Sequence, residues 1–151
     1  MISLLIFAVF VFLSCYNSGV MLTLQIQHYG IYRYVGSEGF REYIAANNRA
    51  ATVPAVIPGM ILLVVSILQV PLHPTFLGTS EAVLFLVLNL ISLFSTFKWQ
   101  RRLQSEMESV GKDAARIALL NTTNWIRTLS FLAQGVWAAT VLVRALAIVA
   151  S

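Results

Sequence analysis

The sequence predicts an all-α integral membrane protein, a four-helix bundle whose helices extend beyond the bilayer on the cytoplasmic side. Of its 151 residues, 58% are hydrophobic and 11% are Asp, Glu, Lys or Arg, whereas an ordinary soluble domain is about 25% charged. So few charges exclude a soluble enzyme, a disordered tail and a coiled coil. They also argue against a nucleic-acid partner, although the pI is near 9.6.

Four long apolar stretches, each near the roughly 20 residues that a bilayer requires, predict the spans. We place them at about 2–24, 53–72, 81–98 and 127–146, within one domain over 1–151. The first lacks a basic start and a clean cleavage site, so we expect a retained helix and not a signal peptide. The last two are short, and the charged residues at their ends can extend outward to lengthen them.

Local signals predict how the helices begin and end. Ser37 is the expected N-cap of a helix that runs into the second span, where Pro54 and Pro58 should kink it. A second helix start is expected at 79–81, with continuation past the third span to about residue 110. Gly111 is the expected break before the last helix.

The distribution of basic residues predicts the orientation. Eight of the ten Lys and Arg residues fall in the segments after the first and third spans, which lie on the same side. Because such segments remain in the cytoplasm, we expect a multi-pass protein of the cell inner membrane with both termini on the non-cytoplasmic side. Arg144 is the exception. The net charge of +4 then indicates contact with membrane lipids, including anionic headgroups.

Polar residues form one stripe on each helix when successive residues are projected about 100° apart. The stripes are richest at the same depth, which predicts a polar, aromatic-rimmed pocket near the cytoplasmic interface. The expected ligand-binding residues are Gln25, Tyr29, Tyr32, Tyr43, Asn47, Trp99, Gln100, Asn124, Trp125, Arg127 and Thr128. The alternative is that these amides and hydroxyls only join helices and that the aromatic residues form an interfacial belt.

Few side chains offer chemistry. His28 is the one candidate catalytic residue, as a base that takes a proton from a bound hydrophobic molecule. No metal site and no cofactor are expected, because the two histidines are predicted on opposite sides of the membrane and no ligand spacing occurs. Cys15, the single cysteine, is expected to be a small buried filler.

Two stretches resemble the small four-span bacterial membrane proteins grouped with the anthrone oxygenases. One runs from Gln25-Ile26-Gln27-His28-Tyr29-Gly30 to Pro58-Gly59-Met60, and the other is Asn124-Trp125-Ile126-Arg127-Thr128. The resemblance implies a four-helix membrane bundle and the oxidation of polycyclic anthrones without an evident cofactor. Relatives often carry histidines after the residue matching Tyr43, whereas Ile44 and Asn47 stand here, which weakens the case for a histidine-dependent activity.

Two functions follow from these observations. The first is a membrane protein that binds or oxidises a hydrophobic aromatic small molecule in the predicted pocket. The alternative is a non-catalytic accessory or structural subunit of a larger membrane complex, or a homo-oligomer. Small residues facing outward on the last helix, at Ala138, Ala139, Ala145 and Ala147, would favour the alternative.

Overall fold

The chain folds into five helices joined by short turns. The computed structural model describes residues 1–150, except for the side chain of Val149, and contains no strand there; the predicted domain of 1–151 ends one residue beyond. Helix accounts for 89% of the chain. The helices are α1 (Ile2–Tyr34), α2 (Phe40–Ala50), α3 (Thr52–Leu72), α4 (Thr79–Val110) and α5 (Ala114–Ala150).

Four helices are long and apolar enough to cross a bilayer: α1, α3, α4 and the Ala114–Ile148 part of α5. This confirms the prediction of an all-α chain with four such helices. The predicted spans at 2–24, 53–72, 81–98 and 127–146 lie within them, and α1, α4 and α5 each continue past the predicted span at one end. Large apolar side chains cover the outside, among them Leu5, Val64, Phe94 and Val136, as expected for contact with lipid.

The long helices form a ring in which each packs on two neighbours. α1 lies against α5 and α3, and α4 lies against the same two helices, so that α1 and α4 are diagonal. The main apolar core includes Phe7, Phe10, Leu62, Phe85 and Val141, toward the predicted outer end. A second cluster at the other end joins α1 and α2 to α4 and α5.

Helix ends follow the sequence signals at two of the three predicted places. α4 begins at Thr79, and the Gly78 N–H donates to the Glu81 carboxylate at 3.1 Å. Gly111 ends α4 with a φ of +103°, which favours glycine. Ser37 is not the N-cap of α2 as predicted: the helix begins at Phe40 after Gly39, whose φ of +75° turns the chain into it.

Asp113 is the N-cap of α5. Its Oδ1 accepts a hydrogen bond from the Arg116 backbone N–H at 2.9 Å, and this bond holds the pKa of Asp113 below its usual value. α5 therefore begins at Ala114, shortly after the break predicted at Gly111, because an aspartate at this position satisfies a free N–H of the first turn.

The two prolines widen α3 at its start. Residues Thr52–Val56 form a π-helical turn, and the regular α-helix begins at Ile57 with Pro58 in its first turn. Pro58 has no N–H to donate to the Pro54 carbonyl four residues earlier. That carbonyl instead accepts a hydrogen bond from the Tyr16 hydroxyl of α1 at 3.0 Å.

Arg144, the exception among the basic residues, is neutralised between helices. Its guanidinium donates to the Glu81 carboxylate at 2.6 Å, and the Trp137 indole N–H donates to the same oxygen at 3.1 Å. An anionic partner on α4 thus accounts for a cation at this end of α5.

α1 and α5 approach closely where Gly135 faces Ser18. The Ser18 hydroxyl lies 2.6 Å from the Phe131 carbonyl oxygen and 2.7 Å from the Ser14 carbonyl oxygen. Its single O–H can donate to either of these two acceptors. A Cβ on Gly135 would overlap this hydroxyl and lie 3.3 Å from the Ser18 Cβ. The absence of a side chain is therefore needed for this helix crossing.

Gly135→Ala should lower the stability of the folded protein in detergent by about 1–3 kcal/mol, because the new methyl group overpacks the contact. Gly19→Ala is the matched control, since a Cβ there has no neighbour within 4 Å. Thermal melting of both variants measures the difference. Removing the hydroxyl with Ser18→Ala should reduce the cost of Gly135→Ala. Equal melting temperatures for Gly135→Ala and Gly19→Ala would contradict this packing.

Candidate functional site

Three of the predicted site residues form a buried hydrogen-bond network between α1 and α5. The Asn124 amide donates to the Gln25 carbonyl oxygen at 2.8 Å, and the Gln25 amide donates to the Asn121 side chain at 2.6 Å. The Thr128 hydroxyl donates to the Asn124 backbone carbonyl at 3.2 Å. Gln25, Asn124 and Thr128 are all buried. This network joins helices, as the packing alternative expects.

Four other predicted residues surround Tyr32, which is completely buried. Its hydroxyl accepts a hydrogen bond from the Asn47 amide at 2.7 Å and lies 3.2 Å from His28 Nε2. The rings of Tyr29 and Tyr43 contact the Tyr32 ring edge-on, with centroids 5.5 and 5.8 Å away. Burial raises the pKa of Tyr43, which stays protonated at neutral pH.

This aromatic cluster closes the predicted cytoplasmic end of the bundle. Phe40, Leu103, Met107 and Leu120 pack around it. His28 is half-buried at its edge, with its Nε2 engaged by Tyr32. This packing makes the cluster a structural contact between α1, α2, α4 and α5.

The remaining predicted residues separate between the interior and the surface. Gln100 is buried and donates to the Thr123 hydroxyl at 3.1 Å. Trp99 is half-buried, with Lys98 Nζ 4.7 Å from its ring centroid. Trp125 is 42% exposed on the outer side of α5 and does not face the other predicted residues. Cys15 is also exposed, not buried as expected.

A cavity of about 740 Å³ lies beside these networks, between α3 and α4. Small residues spaced by four line it at the start of α3: Ala51 just before the helix, and Ala55 and Gly59 within it. Asn89, Ser92, Leu93, Thr96, Phe97 and Gln100 line it from α4, Met21, Leu24 and Tyr29 from α1, and Arg127 and Phe131 from α5. Of the predicted site residues, Tyr29, Gln100 and Arg127 line it and the others do not.

The cavity exists because α3 and α4 separate toward one end. Near its deeper end the helices are joined by a hydrogen bond of 2.7 Å from the Asn89 amide to the Ser66 hydroxyl. Toward the predicted cytoplasmic side they diverge, and exposed residues such as Val56, Met60 and Phe97 border the opening. The opening is therefore bordered by exposed apolar side chains of α3 and α4, and the exposed Thr52, Arg101, Ser105 and Glu108 also line the cavity.

Three π-helical turns border the cavity within residues 1–150. They are Leu24–His28 in α1, Thr52–Val56 in α3 and Thr96–Gln100 in α4, and each contributes at least one lining residue. A π-helical turn is a costly departure from the α-helix that occurs often at functional sites. Three of them around one space distinguish this region from the regular helices at the other end.

Arg127 is the cation that reaches deepest into this cavity wall. It is half-buried, and its Nε is inaccessible and has no hydrogen-bond partner within the described chain. The other guanidinium nitrogens lie 3.4 Å from the Asn124 amide oxygen and 3.4 Å from the Met21 sulfur. Across residues 1–150, no carboxylate forms an ion pair with Arg127, and no group of three His, Cys, Asp or Glu residues is placed to hold a metal.

No family model, curated protein or solved structure matches this chain. The resemblance carried by residues 25–60 and 124–128 stays a prediction. The cavity suggests what the site can do, because its lining combines exposed apolar residues with buried amides and hydroxyls and the guanidinium groups of Arg101 and Arg127.

Proposed function

We propose that this protein binds a hydrophobic small molecule that enters the cavity between α3 and α4 from the bilayer. The observation that carries the proposal is the lateral opening, since lining residues pass from exposed Val56, Met60 and Phe97 to buried Asn89 and Ser92. A volume of about 740 Å³ falls within the range of about 300–1,000 Å³ that ligand sites occupy, and a mostly apolar lining with a few polar groups is typical of them.

Oxidation of the ligand has less support than binding. His28 does not line the cavity, and its Nε2 lies against the Tyr32 hydroxyl. Tyr29 is the link between the two regions, because it lines the cavity and its ring centroid lies 5.7 Å from that of His28. A relationship to the anthrone oxygenases would make a flat aromatic molecule the ligand, and we retain that relationship as a proposal on the residues quoted above.

An accessory-subunit function has less support from the outer surface. Ala138 and Ala145 are buried inside the bundle and Ala139 is half-buried, so that of the four small residues only Ala147 is exposed. The exterior of α5 instead carries large apolar side chains, among them Leu129 and Val136. Such a surface suits lipid better than the close approach of another helix.

We further propose that the protein lies in the inner membrane with both termini on the non-cytoplasmic side. The basic segments after α1 and within the α4–α5 region support this orientation. Arg144, the basic residue at the opposite end, is neutralised by its ion pair with Glu81. Alkaline phosphatase fused to the C-terminus should be active, because it folds only outside the cytoplasm. A fusion at Lys112 should be inactive, and the opposite pair of results would overturn the orientation.

Ala55→Phe should block ligand binding by filling the cavity from its α3 wall. Native mass spectrometry of the protein from mild detergent should find a small-molecule adduct on the natural chain and a loss of at least tenfold in its occupancy on the variant. Ala133→Phe is the control, because Ala133 is exposed on the outside of α5.

Equal adduct occupancy on all three proteins would contradict the proposal. Recovery of the natural chain only with other polypeptides, and without a small molecule, would favour the accessory subunit. Thermal melting of Ala55→Phe confirms that the variant is folded before its occupancy is compared.

A further inference from the structure

We propose that the ligand carries one anionic group and that Arg127 binds it inside the cavity. The inference rests on the proposed function and adds the chemical class of the ligand: an amphiphile with an apolar body and a single carboxylate or phosphate. It is carried by the position and the partners of one guanidinium.

The Arg127 guanidinium faces the interior and not the headgroups. One of its terminal nitrogens lies 3.4 Å from the Met21 sulfur on the neighbouring helix α1, and its Nε is inaccessible. An arginine that extends outward to the membrane surface would instead expose these nitrogens. The side chain therefore presents its donors to the cavity wall.

The neighbours of Arg127 do not neutralise its charge. Its contact with the Asn124 amide oxygen is long, at 3.4 Å, and its other contact, at 3.4 Å, is with the Met21 sulfur, which is a weak acceptor; both partners are uncharged. A guanidinium has five N–H donors in a planar fork that suits a carboxylate or a phosphate. A partly buried charge with weak neutral partners is costly, and an anionic ligand would remove that cost.

Three other basic residues, near the start and the end of α5, are satisfied by the protein. Arg116 pairs with Glu106 at 2.9 Å and also with Asp113, and Arg144 pairs with Glu81. Lys112 donates to two backbone carbonyls, at 2.8 and 2.6 Å. These three cations have partners within the protein, whereas the half-buried Arg127 has no anionic partner within residues 1–150.

The remaining lining defines the rest of the ligand. Leu63, Leu93 and Phe131 offer an apolar surface beside Arg127 for a hydrophobic body. Two other charged residues, Arg101 and Glu108, line the cavity, and both are exposed. Arg127 is the half-buried positive charge of the lining and would match one negative charge on the ligand.

The test compares two fluorescent probes with the same polyene body, cis-parinaric acid and its methyl ester, on the full-length protein in one detergent. The natural chain should bind the acid at least tenfold more tightly than the ester. Arg127→Gln should weaken binding of the acid by about tenfold or more, because hydrogen bonds to charged groups are worth about 1.5–3 kcal/mol. Binding of the ester should not change.

Arg49→Gln is the matched control. Arg49 is an exposed cation of α2 on the same predicted side of the membrane, and its loss changes the net charge equally. Its affinities for both probes should equal those of the natural chain. Arg127→Lys, which keeps the charge and loses the fork, should bind the acid with intermediate affinity and serves if Arg127→Gln does not fold.

Competition identifies the source of the anionic group. Displacement of the bound acid by oleate supports a free carboxylate, and displacement by dioleoyl phosphatidic acid supports a lipid phosphate. Equal affinity of the natural chain for acid and ester would overturn the inference while leaving the proposed function intact. Failure of both probes to bind, together with no adduct in native mass spectrometry, would overturn both.

Discussion

The structure depends on one constraint: a buried polar group of a helix that crosses a bilayer has only the protein to supply a partner, because hydrocarbon offers none. The constraint explains why the chain is helical, since each helix satisfies its own backbone. It also explains the hydrogen bond near Pro58. Because Pro58 has no N–H to donate to the Pro54 carbonyl, that carbonyl accepts a hydrogen bond from the Tyr16 hydroxyl at 3.0 Å. Likewise, the buried Asn89 amide reaches Ser66 on the neighbouring helix at 2.7 Å.

The same constraint helps to separate the residues that complete the fold from those that line the cavity. Gln25 and Asn124 pair with each other, and Tyr32 is paired with Asn47, so these residues complete the fold. Arg127 and Gln100 line the cavity, and neither Arg127 Nε nor Gln100 Oε1 has a partner within residues 1–150. Unpartnered amides also occur away from the cavity, at Gln69 and Gln134, so the half-buried, unpaired charge of Arg127 and the three π-helical turns are what favour a ligand in the cavity. The proposed ligand would pair with that charge.

Much of the architecture was predictable from the sequence, because hydropathy and chain breaks depend on local composition. The four long helices and the break at Gly111 belong to this class. The site was less predictable, because a projection at constant angle assumes unbroken α-helices. Each π-helical turn inserts an extra residue and rotates the residues beyond it. The prediction that Trp125 lines the pocket was wrong for a simpler reason. Trp125 follows the buried Asn124 by one residue, and this places it on the exposed face of the helix. The spacing of Ala51, Ala55 and Gly59 was the available signal for the cavity, but it is equally typical of close helix packing.

The central claim is that the space between α3 and α4 is open to molecules from the bilayer. Photolabelling of the protein in membranes with a diazirine-bearing fatty acid, followed by peptide mapping, tests it most directly. We predict labels on inward-facing cavity residues such as Asn89, Ser92 and Phe131, in addition to the lipid-facing surface. Labels confined to outward residues such as Val64 and Val136, with none on the cavity wall, would contradict the account.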